Sequence, residues 1–470
     1  MIFLKFDKGT ICVEGNVPPG QKWPGLVWDE RTSNFRAPAY YYRQIVMAIR
    51  SEKLEYTDNA RSFAVLPLPL VKKIQPRDHQ QNALQAFAAA GKCGVVVMPT
   101  GSGKTILACL AIEITARPTL ILVPTLDLMQ QWVGVLQDFF CSPLEHQNTS
   151  AENQEIKIGM WGGGSYDTQK LTVSTYDSAI IHMPHSGSQF GFLIFDECHH
   201  LPGPQTRLAA IMSVAPFRLG LTATLERSDG RHADLQSLCG PTVFEVQIGQ
   251  LSHQTLSPYD VHTIPVALSA EERATYDSNR ECYLKFVRER GIDFRRSDGW
   301  SQFIRQSARD EAGRAAFKSY LIQKKIAQSP RAKLLQVWQL IVKHKESRIL
   351  IFTQDNDTAY LLGTLFCLPV LTHHTRMKER IEFLKMFKEG TRTVLVTSKV
   401  LNEGVDVPEA SVAIVVSGSA TVREHVQRLG RILRASPGKK AVLYEIVSDD
   451  TSELSVNERR RAHNAYERPS

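Results

Sequence analysis

Residues 95–105 read VVVMPTGSGKT, and this stretch decides the fold class of the chain. Its apolar residues predict a buried strand, and a glycine loop follows directly and opens a helix with apolar residues at Ile106, Leu107, Leu110 and Ile114. Strand, glycine loop and helix in this order are the context of a phosphate-binding loop. A strict consensus has glycine at the position of Met98, but a chance turn would leave the flanking strand and helix unexplained.

This loop is predicted to hold the phosphates of ATP together with Mg²⁺. Backbone N–H groups at the glycines and the positive helix N-terminus surround phosphate oxygens. Lys104 reaches the β and γ phosphates, and the Thr105 hydroxyl group holds Mg²⁺. The predicted ATP-binding residues of the loop are Thr100, Gly101, Ser102, Gly103, Lys104 and Thr105.

A second apolar run, FLIF at residues 192–195, ends in the acids Asp196 and Glu197. At a strand tip, Asp196 can bind Mg²⁺ and Glu197 can act as general base on the attacking water. An acidic loop after a core strand is the alternative interpretation, and the phosphate-binding loop about 90 residues upstream argues against it.

The residues after these acids are predicted to couple the site to a later segment. Cys198, His199 and His200 are consecutive, so their side chains point in different directions and do not suit one tetrahedral zinc ion. We therefore interpret His199 as a coupling residue that faces Thr222 and Thr224.

Apolar strand-like runs alternate with helical segments in two parts of the chain, which predicts two α/β lobes with parallel sheets. The runs are VVVM, LILVP, LTVST, FLIFDE and RLGLTAT in the first part, and ILIFT, TVLVTS, VAIVVS and VLYEIV in the second. We predict an α+β amino-terminal domain at 1–70, lobe one at 71–245, a basic helical insert and connector at 246–331, and lobe two at 332–470.

The second lobe is predicted to complete the ATP site. In QRLGRILR, residues 427–434, helical spacing places Gln427, Arg431 and Arg434 on one face, where both arginines could face the γ-phosphate. A solvated basic helix face is the alternative. Gly404 and Asp406 follow the strand run TVLVTS and therefore lie where ligands bind in open α/β sheets.

Composition excludes several classes of protein. The chain has 470 residues, 43% hydrophobic content and a net charge of +8. It has no apolar run of about 18 residues that could span a bilayer, and its amino terminus does not read as a signal peptide. We expect an intracellular protein without a membrane partner. The eight cysteines are scattered singly, which favours free thiols over a metal centre.

Positive charge is concentrated in the predicted insert. Residues 281–333 contain 13 Lys and Arg against 6 Asp and Glu, a net charge of +7. Arg295, Arg296 and Trp300 combine cations with an aromatic ring, a pattern that suits DNA. A solvated helical hairpin is the alternative interpretation.

Together these motifs resemble those of superfamily-2 helicases, and most closely the XPB family of repair helicases in its shorter archaeal and bacterial form. The loop sequence PTGSGKT is typical of helicases. Further motifs that carry the resemblance are RDHQ (77–80), VPTLDLMQQW (123–132), TVSTYDSA (172–179), FDECHHLP (195–202), APFRLGLTAT (215–224), IFTQ (351–354) and NEGVDVP (402–408).

The resemblance implies two RecA-like lobes that use ATP to move 3' to 5' on DNA, as a monomeric motor in DNA repair. It implies a DNA-gripping "thumb" in the insert, an amino-terminal domain that senses distorted duplex, and a small nuclease as partner. Residues implied to bind ATP are Arg77 and Gln80, with Gln80 reading adenine; those implied to contact the DNA backbone are Pro124, Thr125, Thr175 and Thr353.

The chain departs from the family pattern at two places. The family's Arg-Glu-Asp element, also assigned to the DNA site, is Arg227-Ser228-Asp229 here, so its middle acid is missing. His79 stands where an aromatic residue usually precedes the glutamine, which weakens the expectation of adenine stacking.

Three functions are compatible with this pattern. The first is a repair motor that opens duplex DNA or translocates on it. The second is a motor that acts on RNA or remodels protein–DNA complexes. The third is an ATP-switched DNA clamp without useful turnover, against which Glu197, Arg431 and Arg434 argue.

Overall fold

Every described strand belongs to one of three β-sheets. The structure is a computed structural model that describes residues 1–18, 20, 22–141, 156–225, 230–246, 250, 259–296, 298–398, 410–417 and 441–453. One compact unit is built mainly from residues 1–247, and the second takes nearly all of the chain that follows.

The first sheet forms the amino-terminal α+β part of the chain. Its strands have the order β3-β4-β2-β1-β5, and helix α1 contributes Ile45 and Ile49 to a core with Ile2 and Leu4. A tight turn at Lys8 and Gly9, both with positive φ, joins β1 to β2. The elements are β1 (Ile2–Asp7), β2 (Thr10–Gly15), β3 (Val27–Asp29), β4 (Asn34–Pro38), α1 (Tyr42–Ser51) and β5 (Tyr56–Asn59).

The second sheet has eight strands in the order β13-β6-β12-β11-β7-β10-β8-β9, all parallel to their neighbours except β9. Its strands are β6 (Cys93–Val97), β7 (Thr119–Val123), β8 (Ile158–Gly162), β9 (Ser165–Asp167), β10 (Leu171–Thr175), β11 (Phe192–Asp196), β12 (Phe217–Thr222) and β13 (Thr242–Glu245).

Helices cover both faces of this sheet, because successive residues of its buried strands point to opposite sides. Val96 packs on one side with α2, α3 and α4, whereas Val95 and Val97 pack on the other with α5, α6 and α7. These helices are α2 (Asp78–Ala89), α3 (Lys104–Thr115), α4 (Leu126–Phe140), α5 (Tyr176–Ser186), α6 (Arg207–Ile211) and α7 (Asp234–Leu238).

The third sheet belongs to the second unit and is parallel throughout, in the order β14-β19-β18-β15-β17-β16. Its strands are β14 (Tyr259–Val266), β15 (Ile349–Phe352), β16 (Val370–Leu371), β17 (Val394–Thr397), β18 (Val412–Val415) and β19 (Ala441–Ser448). The helices of this unit are α8 (Ala270–Glu289), α9 (Gly299–Ser307), α10 (Glu311–Gln328), α11 (Arg331–Lys343), α12 (Asn356–Phe366) and α13 (Met377–Glu389).

Helices α8, α9 and α10 form a helical body around an aromatic core in which Phe286 and Phe303 are buried. The base of this body is tied to the third sheet, since the Arg273 guanidinium donates to the backbone oxygens of Asp449 and Asp450. The body lies within the range 246–331 that the sequence assigns to the insert.

The predicted α/β class with two parallel-sheet lobes is confirmed, and each of the strand-like runs quoted from the sequence coincides with a strand. Strand β14 lies inside the range assigned to the insert and connector, yet it pairs with β19 in the third sheet. Its sequence YDVHTIPV mixes polar residues with proline, as suits an edge strand, and therefore shows no continuous apolar run. None of the helices in the described ranges has the length and apolar character needed to cross a bilayer.

Candidate functional site

The phosphate-binding loop connects β6 to α3 and requires two left-handed glycines. Gly101 has φ +84° and Gly103 has φ +88°, a region that side chains with a Cβ rarely adopt. Lys104 begins α3, and its Nζ donates to the Met98 backbone oxygen at 3.0 Å. The loop is thus folded back around the amino end of α3, where phosphate oxygens are attracted.

Two hydroxyl groups in this loop have different surroundings. The Ser102 hydroxyl is buried and donates to the Pro99 backbone oxygen at 2.7 Å. The Thr100 hydroxyl oxygen is also buried, but it meets no hydrogen-bond partner in the part of the chain that the structure describes. A buried hydroxyl without a partner is costly unless a ligand satisfies it.

The Arg77–Gln80 segment at the start of α2 is joined directly to the loop. Gln80 Oε1 accepts from the Arg77 backbone N–H at 2.9 Å, and its Nε2 donates to the Ser102 and Gly103 oxygens at 3.2 Å each. His79 Nε2 lies 2.9 Å from the same Ser102 oxygen. Gln80 and His79 are therefore buried against the loop, and adenine reading by Gln80 stays a prediction.

Asp196 ends β11 and has both carboxylate oxygens engaged. Oδ1 accepts from the Glu197 backbone N–H at 3.0 Å, and Oδ2 accepts from the Trp132 indole N–H at 2.8 Å. Burial raises the pKa of this carboxyl group, while the charge of Lys104 and these two hydrogen bonds oppose the rise. A carboxylate has about four lone-pair sites, so acceptor capacity remains for a metal ion or its waters.

Glu197 has an unusual backbone conformation that turns the chain sharply after the strand. Its φ is +47°, and a short helical turn, Cys198–His200, follows. His199 is completely buried, with Nδ1 3.4 Å from Glu197 Oε2 and 3.1 Å from Thr222 Oγ1. The Thr222 hydroxyl in turn donates to the Thr224 backbone oxygen at 2.7 Å. The structure thus brings Glu197, His199 and Thr222 together; the coupling role stays a prediction.

The DNA-contact residues implied for lobe one lie at the carboxyl ends of neighbouring strands. Pro124 and Thr125 follow β7, and Thr175 ends β10, which pairs with β7. Each threonine caps the helix that follows it: Thr125 Oγ1 accepts from Leu128 N, and Thr175 Oγ1 accepts from Ser178 N.

Thr353 has a different environment from the other implied DNA contacts. It is completely buried, and its hydroxyl donates to the backbone oxygens of Asp355 and Thr397. The side chain therefore has no exposed surface for DNA to reach. It lies directly after β15, as the motif requires, and its role as a DNA contact stays a prediction.

The three insert residues are exposed around the aromatic core. The Arg295 and Arg296 side chains are 94% and 71% exposed and pair with Asp293 and Asp298. Trp300 is 46% exposed, although its ring also packs against Tyr320 at 5.3 Å between centroids. These side chains could stack on and pair with nucleic acid.

Several predicted site residues lie outside the described residues. They are Arg227, Ser228, Asp229, Gly404, Asp406, Gln427, Arg431 and Arg434.

Two side chains that contact Asp196 were not predicted. Trp132 closes the motif VPTLDLMQQW, and Tyr176 lies within TVSTYDSA; its hydroxyl donates to the Asp196 backbone oxygen at 3.0 Å. Both are buried aromatic residues in apolar surroundings, so the sequence pattern reads them as core. Their place inside two motifs was the only available signal.

The residues present fit a magnesium nucleotide. The partnerless Thr100 hydroxyl lies in the loop, and Thr105 is in the first turn of α3, where phosphate and Mg²⁺ are held in loops of this kind. Asp196 supplies the hard carboxylate oxygen that Mg²⁺ prefers, and its pKa responds to the charge of Lys104.

A phosphate-binding loop and an Asp-Glu strand end in one largely parallel sheet, accompanied by a second sheet that is parallel throughout, are typical of the two-lobed ATP-driven helicases. Residues 4–60 match the xeroderma pigmentosum group B helicase damage recognition domain, and residues 317–465 match the ERCC3/RAD25/XPB C-terminal helicase. Residues 73–227 match the type III restriction enzyme, res subunit. The chain belongs to the XPB family of helicases.

Individual proteins extend this result. The chain is 35% identical to the DNA 3'-5' translocase XPB2 of Sulfurisphaera tokodaii over 462 residues, covering 98% of this chain and 100% of that protein. It is 31% identical to the DNA 3'-5' helicase XPB of Mycobacterium tuberculosis over 80% of this chain and 61% of that protein.

Similarity to a solved structure supports the fold alone. A variant of S. cerevisiae Dbp5 bound to RNA and ADP BeF3 matches with a TM-score of 0.55 and 15% identity, covering 84% of this chain and 89% of that one.

Proposed function

We propose that this chain is an ATP-dependent DNA motor that moves 3' to 5' on DNA and opens or remodels duplex during repair. The observation that carries the proposal is the clustered ATP site of lobe one. There Asp196 lies within electrostatic reach of Lys104, and Glu197 lies beside His199 and Thr222. The full-length similarity to a DNA 3'-5' translocase supports DNA as the track.

Each residue of the site has a proposed task in hydrolysis. The loop amides and Lys104 bind the phosphates, and Thr105 with Asp196 would hold Mg²⁺, which neutralises charge on the phosphoryl group when bound. Glu197 accepts the proton of the attacking water. Its contact with His199, which also contacts Thr222, would transmit the resulting change of charge at Glu197 to the Thr222–Thr224 segment. Arg431 and Arg434 are proposed to stabilise transition-state charge.

On the DNA side, we propose that Thr125 and Thr175 lie against the DNA backbone, since both lie at the carboxyl ends of neighbouring parallel strands of the same sheet. The exposed cations Arg295 and Arg296 and the half-exposed Trp300 support a DNA-binding role for the insert. The family resemblance further leads us to propose that residues 1–70 sense distorted duplex and that a small nuclease is the partner.

Ser228 favours a motor that translocates well but separates strands weakly. The family has an acid at this position, and a serine cannot repel a displaced strand by charge. We therefore expect ATP hydrolysis without robust unwinding unless the substrate is forked or a partner assists. The Ser228→Glu variant should raise strand displacement more than ATPase; equal ratios in both proteins would discard this refinement.

The deciding experiment measures ATPase and strand displacement on single-stranded, forked and blunt DNA, with RNA of equal length at the same salt concentration. We expect DNA and not RNA to stimulate the ATPase, since the full-length relative described above is a DNA 3'-5' translocase. The salt concentration is the same in every assay because salt alone changes nucleic-acid affinity strongly. Lys104→Ala should abolish the stimulated ATPase, and Glu197→Gln should bind ATP without turnover. Normal turnover in either variant would contradict the assigned site, and binding without turnover in the unaltered protein would indicate a clamp.

A further inference from the structure

Asp196 is held by two buried aromatic side chains that come from opposite faces of the sheet. Trp132, on α4, donates its indole N–H to the carboxylate oxygen Oδ2 at 2.8 Å. Tyr176, on α5, donates its hydroxyl to the Asp196 backbone oxygen at 3.0 Å. Their exposed fractions are 1% and 3%, so neither group can turn to water instead.

The helices that carry these side chains begin at the two threonines proposed to contact DNA. Thr125 caps α4, and Trp132 lies seven residues further along the same helix, a rise of about 10 Å. Thr175 caps α5, and Tyr176 is its first residue. Thr125 is therefore linked to Asp196 through two turns of helix and the Trp132 side chain, and Thr175 is linked to it through the adjacent residue Tyr176.

We infer that Trp132 and Tyr176 are positioning residues that connect DNA contact in lobe one to the carboxylate that holds Mg²⁺. The inference rests on the proposed function, since it takes Thr125 and Thr175 as DNA contacts and Asp196 as the metal ligand. Both aromatic side chains are buried beneath the proposed nucleotide and DNA contacts. Each acts by holding Asp196.

The hydrogen-bond chemistry supports a positioning role over simple packing. An indole N–H only donates, so Trp132 holds Oδ2 as an acceptor and leaves the remaining lone pairs of the carboxylate in a defined direction. Outer partners of this kind orient metal ligands, and their loss typically lowers metal affinity or activity about 10- to 100-fold. A hydrogen bond is sensitive to direction, so a small shift of α4 or α5 changes the orientation of Asp196.

The test removes one donor at a time and keeps an aromatic ring. In Trp132→Phe and Tyr176→Phe, binding of a fluorescent non-hydrolysable ATP analogue is measured with Mg²⁺ and with EDTA, each with and without duplex DNA. We expect Trp132→Phe to reduce the affinity gained from Mg²⁺ by about 10-fold and to leave affinity in EDTA unchanged. Both variants should reduce the mutual coupling of DNA and nucleotide binding by about 5-fold or more.

The chain offers matched controls for both changes. Trp161 is equally buried in lobe one, and its indole N–H donates to Thr168 at 3.0 Å. Tyr42 is buried in the amino-terminal core, and its hydroxyl donates to Asp58. Trp161→Phe and Tyr42→Phe should keep the Mg²⁺ gain and the DNA coupling of the unaltered protein.

The outcomes separate this inference from the proposed function. If Trp132→Phe and Tyr176→Phe match their controls, the two side chains only fill space and the inference is wrong. If Trp132→Phe does not fold, Tyr176→Phe decides through DNA coupling, because it loses a single oxygen atom. Absence of any DNA effect on nucleotide binding and ATPase in the unaltered protein would overturn the proposed function, and this linkage with it.

Discussion

Replacing Gly103 with alanine tests how the phosphate-binding loop is locked to the Arg77–Gln80 segment. Gly103 has φ +88°, and a Cβ atom built there would lie 2.2 Å from Gln80 Nε2, well inside contact distance. The Gln80 amide would have to leave, and its hydrogen bonds to Ser102, Gly103 and Arg77 would be lost.

The loss of stability expected for Gly103→Ala has two contributions. A left-handed conformation costs a residue with a Cβ about 1–2 kcal/mol. Three lost hydrogen bonds add about 3 kcal/mol at a net value of about 1 kcal/mol each. The second contribution corresponds to a further fall in melting temperature of roughly 6–12 °C for a lobe of this size.

Gly164 provides a matched control. Its φ is also +88°, but a Cβ there would meet nothing within 4 Å. Gly164→Ala therefore carries the backbone cost alone, and the difference between the two variants isolates the contact with Gln80. Shortening the side chain in a Gly103→Ala/Gln80→Ala double variant should remove the clash, so the two changes should be less than additive.

The assay is thermal unfolding of Gly103→Ala, Gly164→Ala, Gln80→Ala, the double variant and the unaltered protein, with nucleotide affinity measured in parallel. We expect Gly103→Ala to melt lower than Gly164→Ala and to bind nucleotide more weakly. Equal melting temperatures for the two glycine variants would refute the idea that Gln80 locks the loop.

Three further predictions concern the second unit. Arg431→Ala and Arg434→Ala should each lower kcat by about 100-fold or more with little change in nucleotide affinity, because their proposed contacts with the γ-phosphate form in the transition state. A fall in nucleotide affinity without a fall in kcat would show that the two arginines bind nucleotide instead. Lys333 is fully buried and forms an ion pair with Glu453 at 2.6 Å. Lys333→Met should therefore lower the free energy of unfolding by about 3–5 kcal/mol in urea, and adding Glu453→Gln should recover part of this loss. A loss below about 1 kcal/mol would contradict the buried ion pair. Trp300→Ala should weaken single-stranded DNA binding by about 1–3 kcal/mol if bases stack on its exposed face, and unchanged affinity would place the DNA elsewhere.

The local pattern of apolar residues in the sequence was sufficient to predict most of the central strands. Buried parallel strands are covered on both faces, so their apolar runs are continuous, and every run quoted from the sequence became a strand. The strands that were missed lie mainly at sheet edges, where one side is open and the pattern is mixed. Examples are β14, which pairs only with β19, and β9, which pairs only with β8.

By itself, the sequence determined the fold class and the positions of the phosphate-binding loop and the acidic strand end, because those depend on neighbours along the chain. Only the tertiary structure decided which distant side chains meet them. Gln80 packs into the loop, Thr353 turns inward, and Trp132 and Tyr176 converge on Asp196 from opposite faces of one sheet. Such contacts join residues 20 to 64 positions apart and depend on strand order and helix packing, which no local pattern of residue types specifies.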